Sequence, residues 1–263
     1  MGMVYAKNEY AIPRGRVFFD PFDANGNPTG EIAMGNCPGL NLSIETTKAE
    51  HFSSEKGLRE KDESLIVEVN RTGSVNCDNF SAANFALWLS GTRATVNQAA
   101  TAVVGEVRSV VPGRFYQLGA KAANPLGVRN VTAVAVKNAD TSTPYTAGTD
   151  YNVDPETGRV QIIVGGAIVA GNVKFDYTPV AGTYETVRSG ATAETQGALR
   201  IVADNASGAN RDFYMPKVTL TPTGDLPIIA DGTDFVQMQF GLEVLKAANA
   251  EAIYADGRPV PGV

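Results

Sequence analysis

The stretch Val236-Gln-Met-Gln-Phe-Gly-Leu-Glu-Val244 decides the fold class of this 263-residue chain. Apolar residues occupy every second position, with glutamine, glycine or glutamate between them. Alternate side chains of an extended strand point to the same face, so this pattern is typical of a half-buried β-strand. The stretch therefore predicts a strand whose buried face is formed by Val236, Met238, Phe240, Leu242 and Val244.

The same alternation recurs along the chain in short segments separated by Gly, Pro, Asn and Asp. Turn-forming stretches such as Asp23–Asn27 and Asp154–Gly158 stand between them. The further strand candidates are Arg16–Phe19, Leu40–Glu45, Leu65–Asn70, Val103–Val110, Val131–Val136, Arg159–Val164, Val173–Thr178, Leu199–Val202 and Val218–Thr221. The sequence therefore predicts a mainly β fold.

A single helix is predicted between Ser81 and Leu89. Ser81 is a suitable N-cap, and Phe80 and Phe85 have the spacing of a hydrophobic staple. Gly91 is expected to end the helix. Phe85, Trp88 and Leu89 share one stripe, so the helix should pack against the outside of a sheet.

Two segments interrupt the pattern. Residues 112–179 contain their own series of strands between Pro-Gly and Pro-Val-Ala-Gly, which predicts a β insertion or extension, with 1–111 and 180–263 forming the core domain. The segment Glu45–Glu63 is polar, with nine charged residues from Lys48 to Glu63. It is interpreted as an extended loop, because it looks too long for a tight turn.

The composition argues against several classes of function. The net charge of -6 disfavours stable binding of nucleic acid, which needs clustered Lys and Arg. No phosphate-binding or dinucleotide-binding glycine motif is present, so no cofactor is predicted. The N-terminal residues lack a basic segment followed by an apolar run, and no apolar stretch is long enough to span a membrane, so neither export by a signal peptide nor a membrane partner is expected.

No catalytic or metal site is predicted. The sole histidine, His51, lies in the charged segment, where a base held by a third group is unexpected. The stretch Asp20–Asn27 is interpreted as a turn, because its glycine does not fit the spacing of a calcium loop. Cys37 and Cys77 lack a metal-type spacing and are expected to be reduced thiols in a cytoplasmic protein.

Several segments resemble the major tail tube proteins of siphophages, the bacteriophages with long non-contractile tails. The longest runs from Gly35 to Asp62, GNCPGLNLSIETTKAEHFSSEKGLREKD. It is followed by a strand and helix ending in ANFALWLSG at Gly91. The C-terminal part resembles the same family at Gly197–Asn205, Tyr214–Leu220 and Ala255–Pro259. The two regions that contain these segments, 35–91 and 197–259, span a little under half of the chain.

The resemblance implies a β-sandwich with a flanking helix, assembled as six copies in a ring whose sheets join into an inner barrel. Stacked rings would form a tube in the virion tail, built in the host bacterial cytoplasm, through which viral DNA passes without specific binding. The implied partners are further copies of the chain, the tape measure protein and other tail proteins.

Two sets of residues are candidates for contacts in such an assembly. The strand Val236, Met238, Phe240, Leu242 and Val244 could extend the sheet of a neighbouring subunit. The charged segment is predicted to make contacts between stacked rings through Lys48, Glu50, His51, Phe52, Glu55, Lys56, Arg59, Glu60, Lys61 and Asp62.

Other functions remain open at this point. Within a phage, the chain could be a tail terminator or the inner tube of a contractile tail. Outside that setting, an immunoglobulin-like binding module shares the strand pattern but should carry an export signal. A hydrolase on a β scaffold would need a convergent polar site, which the sequence does not indicate.

Overall fold

The computed structural model describes residues 9–190 and 194–259, and within them it confirms a mainly β fold with one short helix. The helix α1 is Ala82–Trp88. The strands in chain order are β1 Gly15–Pro21, β2 Ile32–Gly35, β3 Gly39–Ser53, β4 Glu60–Cys77, β5 Thr92–Gln98, β6 Val103–Val110, β7 Phe115–Gln117, β8 Val131–Asn138, β9 Tyr151–Asp154, β10 Arg159–Ile162, β11 Gly171–Pro179, β12 Gly182–Arg188, β13 Thr195–Ala203, β14 Arg211–Thr223, β15 Met238–Val244 and β16 Tyr254–Gly257.

Each strand predicted from alternation lies within or overlaps one of these elements. The match is closest for β6, whose bounds are those expected from the sequence. The strands that sequence reasoning missed are short or polar, namely β2, β5, β7, β9, β12 and β16. Short strands give too few alternating positions for the pattern to stand out.

The chain divides into two compact units. Unit 1 is formed by 1–93 and 187–263, and unit 2 by 94–186. The chain leaves unit 1 through β5 and returns through β12, and these two strands pair as a separate two-stranded sheet. The insertion predicted at 112–179 falls inside unit 2, which also includes β6 because β6 pairs with β11.

Unit 1 is built on one large sheet with the strand order β2-β1-β13-β14-β15-β4-β3, and β16 also pairs with β14. Its core contains Phe19, Met34, Leu199, Met238 and Phe240, all fully buried. In β15 the residues Met238, Phe240, Leu242 and Val244 are buried and alternate with exposed Gln239 and Glu243, as the sequence predicted. The prediction was wrong for Val236, which precedes β15 and is only half-buried.

The sheet of unit 1 is open. Its two end strands are β2 and β3, and none of the sheets in the described residues closes into a barrel. β15 lies between β14 and β4 and pairs with both. An interior strand has no free backbone edge, so β15 is not available to extend the sheet of another subunit, and its apolar face lies in the core of its own unit.

Helix α1 has the predicted start but a different end. The Ser81 hydroxyl accepts a hydrogen bond from the backbone amide of Asn84, and the rings of Phe80 and Phe85 lie 5.7 Å apart as a staple. The left-handed residue after the helix is Ser90, with φ of 45°, rather than Gly91. Gly91 is needed for another reason, because a Cβ there would lie 1.9 Å from the carbonyl oxygen of Arg188.

Helix α1 packs against β2, β14 and β15. Its buried residues are Asn84, Ala86 and Leu87, whereas the predicted stripe of Phe85, Trp88 and Leu89 is only half-buried. The helix is therefore rotated relative to the expected orientation. The buried side chain of Asn84 explains the rotation, since it donates to the backbone carbonyls of Met34 and Asn79.

Unit 2 contains two three-stranded sheets, β7-β10-β9 and β6-β11-β8. Its core includes Val136, Ile162 and Phe175. The carboxylate of Glu106 accepts hydrogen bonds from the hydroxyl of Tyr177 and the backbone amide of Gly119. Neither unit has, among the described residues, a helix long and apolar enough to cross a membrane.

Candidate functional site

Strands β3 and β4 form a hairpin that continues beyond the rest of the sheet of unit 1. β15 pairs with β4 only from Thr72 to Cys77. From Glu60 to Arg71, β4 pairs only with β3, and β3 has no other partner strand in the described residues. Residues 41–52 and 54–70 are all exposed. This part of the two strands, 43–71, is called the projecting hairpin below.

The projecting hairpin corrects the interpretation of Glu45–Glu63 as an extended loop. The two strands pair as far as Ser53 and Glu60, so only 54–59 form the connecting turn. Bulges at Thr47/Lys48 and His51/Phe52 accommodate the extra residues of β4. Sequence reasoning missed the outer parts of these two strands because the dense charge obscures their alternation. Charged pairs on opposite strands can stabilise a hairpin in water.

The predicted contact residues lie at the outer end of this hairpin, and several of them are paired with each other. Lys61 forms an ion pair with Glu50. The Nδ1 atom of His51 lies 2.6 Å from Oδ1 of Asp62. The third pair is Arg59 over the ring of Phe52, with the guanidinium carbon 5.2 Å from the ring centroid.

The remaining predicted contact residues are also exposed. Glu55 and Lys56 lie in the turn, Lys48 in β3 and Glu60 at the start of β4. Exposed charge pairs contribute about 0.2–1 kcal/mol each, so the tip adds little to the stability of the subunit.

One face of the projecting hairpin is an apolar stripe. Residues that lie opposite each other on antiparallel strands point to the same side of the sheet. Leu40 and Val75 are such a pair and both contact the core of unit 1, so their side of the hairpin is the one that continues the core. Farther out, the pairs on this side include Ile44 with Arg71, Thr46 with Val69 and Lys48 with Ile66. The exposed apolar residues of the stripe are Ile44, Ile66 and Val69, together with Val67 at the bulge and Leu42, which lies just before the projecting hairpin.

The side chains of the apolar stripe are largely exposed to solvent in the isolated subunit. Ile44 is 57% exposed, Ile66 60% and Val67 63%. A two-stranded hairpin is marginally stable in water unless another layer covers its apolar face. A contiguous exposed apolar patch is typical of a surface that binds another molecule.

The charges of the projecting hairpin are sorted between its two faces. The apolar side carries the cations Lys48, Lys61 and Arg71, and its one carboxylate, Glu50, is paired with Lys61. The opposite face carries the carboxylates Glu45, Glu60, Glu63 and Glu68. The stripe can therefore bind a surface that is both apolar and acidic.

Sequence reasoning identified the charged residues of this site and Phe52, but missed the aliphatic residues of the stripe. The signal that could have found them is the run Leu65-Ile66-Val67 beside Val69, opposite Leu42 and Ile44. These residues were assigned to ordinary half-buried strands. Only the exposure of their side chains shows that no other element of unit 1 covers them.

The chain belongs to the family described as "Protein of unknown function UCP028589". The model of this family matches residues 10–253, a range that includes β1 to β15 and the whole projecting hairpin. No curated protein matches the sequence.

The described residues contain no group of three or more His, Cys, Asp or Glu side chains arranged to hold a metal ion. The Oδ1 atom of Asp23 instead accepts hydrogen bonds from the backbone amides of Asn25 and Asn27, which also lowers the pKa of Asp23. The His51 and Asp62 side chains are 70% and 47% exposed. The site therefore presents a binding surface rather than an enclosed polar pocket.

The two cysteines lie close together, which their separation in sequence did not indicate. Both are free thiols, and they interact through a hydrogen bond that, with burial, raises the pKa of Cys37. The Sγ atom of Cys77 also lies 3.0 Å from the carbonyl oxygen of Met34 and 3.2 Å from Nδ2 of Asn84. These contacts join β2, β4 and α1 in the core of unit 1.

Proposed function

We propose that this protein is the tube subunit of a bacteriophage tail, which assembles as stacked hexameric rings whose lumen conducts viral DNA. The observation that carries the proposal is the projecting hairpin, whose apolar stripe has no partner within the described chain. The resemblance of five segments to siphophage tail tube proteins supplies the kind of assembly. No covalent chemistry is required of the subunit.

The open sheet of unit 1 supports assembly into rings. Its free edges belong to two different strands, β2 at one end and β3 at the other. When the edge of one copy pairs with the opposite edge of the next, the contact is head-to-tail, and such contacts close into a ring if the rotation between copies allows it. In this arrangement the unit 1 sheets of neighbouring copies join into the continuous inner barrel. Within each subunit, that sheet is one layer of the proposed β-sandwich.

The projecting hairpin supports contacts beyond one ring. Its stripe of five aliphatic residues would be buried against a neighbouring ring, and burial of apolar surface contributes about 25 cal/mol per Å². Exposed charges at the tip contribute less energy but favour one register over another. Because the contact is repeated by every subunit of a ring, weak contacts between single subunits add up to a stable stack of rings.

The test is to shorten the hairpin. Replacing Thr46–Val69 with Asn-Gly joins the facing residues Glu45 and Asn70 through a two-residue turn. The matched control replaces only 54–59 with Asn-Gly, which keeps the apolar stripe. We expect tubes from the parent and the control, and folded subunits without tubes from the shortened chain, by negative-stain microscopy and thermal unfolding.

Three results would overturn the proposal. The first is normal tubes from the shortened chain. The second is a shortened chain that fails to fold, which would give the hairpin a role within its own subunit. The third is a parent that stays monomeric at high concentration even when other tail proteins are added. Rings that never stack would favour a tail terminator instead.

A further inference from the structure

A second exposed apolar surface lies at the other end of β4. The loop 224–237, which joins β14 to β15, borders a cleft of about 380 Å³ lined by Phe80, Phe85, Ile228 and Phe235. Ile228 is 86% exposed, Ile229 94% and Phe235 89%. This surface is called the apolar cleft below.

The loop that lines the apolar cleft is acidic. Asp78 lines it, and the loop contributes Asp225, Asp231 and Asp234. The loop contains no lysine or arginine, and none of these four carboxylates forms an ion pair within the described part of the chain. The cleft therefore has the two properties that complement the hairpin stripe: it is apolar, and its charge is opposite to that of Lys48 and Arg71.

The cleft and the hairpin stripe of one copy cannot meet. β4 is a continuous strand that carries the stripe near Ile66 and reaches the cleft just after Cys77. Eleven residues of extended strand span about 36 Å. A hairpin paired rigidly with its own sheet cannot fold back over that distance, so any contact between the two surfaces joins different copies.

We propose that the apolar stripe of the projecting hairpin of one copy docks in the apolar cleft of a second copy. The inference rests on the proposed tube function and names the surface that receives the hairpin. Because the donor and the acceptor lie at opposite ends of β4, the contact is head-to-tail and repeats without limit along one direction. That geometry stacks rings into a tube.

Reversing the charges of one surface at a time tests the contact between the hairpin stripe and the apolar cleft. The hairpin variant carries Lys48→Glu and Arg71→Glu, and the cleft variant carries Asp231→Lys and Asp234→Lys. Each variant alone places like charges together in every contact, and we expect its critical concentration for tube formation to rise at least about tenfold. An equimolar mixture restores opposite charges at both kinds of contact, so alternating tubes should form only in the mixture.

The control reverses two charges on the other face of the hairpin, Glu45→Lys and Glu68→Lys, and should leave the critical concentration within about threefold of the parent. Thermal unfolding below the assembly concentration checks that all variants are folded. Normal tubes from both single-surface variants would overturn the docking while leaving the tube function intact. Folded variants whose mixture also fails to assemble would overturn it as well.

A measurement that does not depend on tubes separates the two proposals. A chain with Ile66→Cys is mixed with a chain with Ile228→Cys under mild oxidation with copper-phenanthroline. We expect a disulfide between positions 66 and 228 of different chains, identified by mass spectrometry, and none when Leu126→Cys replaces Ile228→Cys. A 66–228 disulfide without tubes would support the docking and reject the tube, whereas no 66–228 disulfide would overturn the docking.

Discussion

Replacing either of two valines on β4 with alanine should separate the stability of the subunit from its assembly. Val75 is 0% exposed in the core of unit 1, whereas Val67 is 63% exposed on the projecting hairpin. Val75→Ala removes two buried methyl groups and leaves a cavity, which should cost about 2–3 kcal/mol of unfolding free energy. In a domain of this size, that loss lowers the Tm by roughly 5–10 °C.

Val67→Ala should leave the isolated subunit nearly unchanged, because only about a third of the side chain is buried there. The expected cost is about 0.5 kcal/mol, or roughly 1–2 °C in Tm. If the rest of Val67 becomes buried in a tube, the same substitution removes about 1 kcal/mol from each contact between copies. The critical concentration should then rise about fivefold.

The assays are thermal unfolding by circular dichroism below the assembly concentration and sedimentation of tubes above it. Val75→Ala protein that remains folded should still assemble, because its change lies inside the subunit. A Tm loss for Val67→Ala as large as that for Val75→Ala would refute the reasoning. So would an unchanged critical concentration for Val67→Ala.

Four further results are expected. Asn84→Ala should lower the unfolding free energy by about 1–3 kcal/mol in urea titrations, since the carbonyls of Met34 and Asn79 each lose a hydrogen-bond donor; a loss well below about 1 kcal/mol would contradict its packing role. Unfolding free energy should fall as pH drops below about 4. The hydrogen bond from Lys137 lowers the pKa of Asp176, so this stabilisation is present above the ordinary Asp pKa and is lost as the carboxylate is protonated. Asp176→Asn should flatten the dependence between about pH 2 and 5, and an unchanged slope would count against the ion pair. Thiol titration of denatured, unreduced protein should find both Cys37 and Cys77 reactive, and finding neither would mean that they form a disulfide. Duplex DNA should bind weakly at physiological salt because the net charge is -6, whereas nanomolar, salt-dependent binding would contradict a conduit.

The local features of the fold were predictable where they depend only on residues close together in the sequence. The alternation in β15 predicts its buried face, because side chains on a strand alternate between faces whatever the neighbours are. Ser81 and the Phe80–Phe85 staple predict the start of α1, because capping depends on residues within one turn. The predicted role of Gly91 at the helix end was wrong, because the left-handed residue there is Ser90. Glycine is needed at position 91 because the backbone of Arg188 lies close to it, which the sequence does not show.

The candidate site depended on relations between distant residues that the sequence does not contain. The sequence by itself determined that 45–63 is charged and polar, but pairing between β3 and β4 decided that it is a hairpin. It determined that β15 has an apolar face and that Ile66, Val67 and Val69 are apolar. The strand order decided that β15 is interior, and the packing of unit 1 decided that the stripe is left exposed. Alternation fixes which face of a strand is apolar, whereas only the packing of other strands decides whether that face is buried within the subunit or left for another copy.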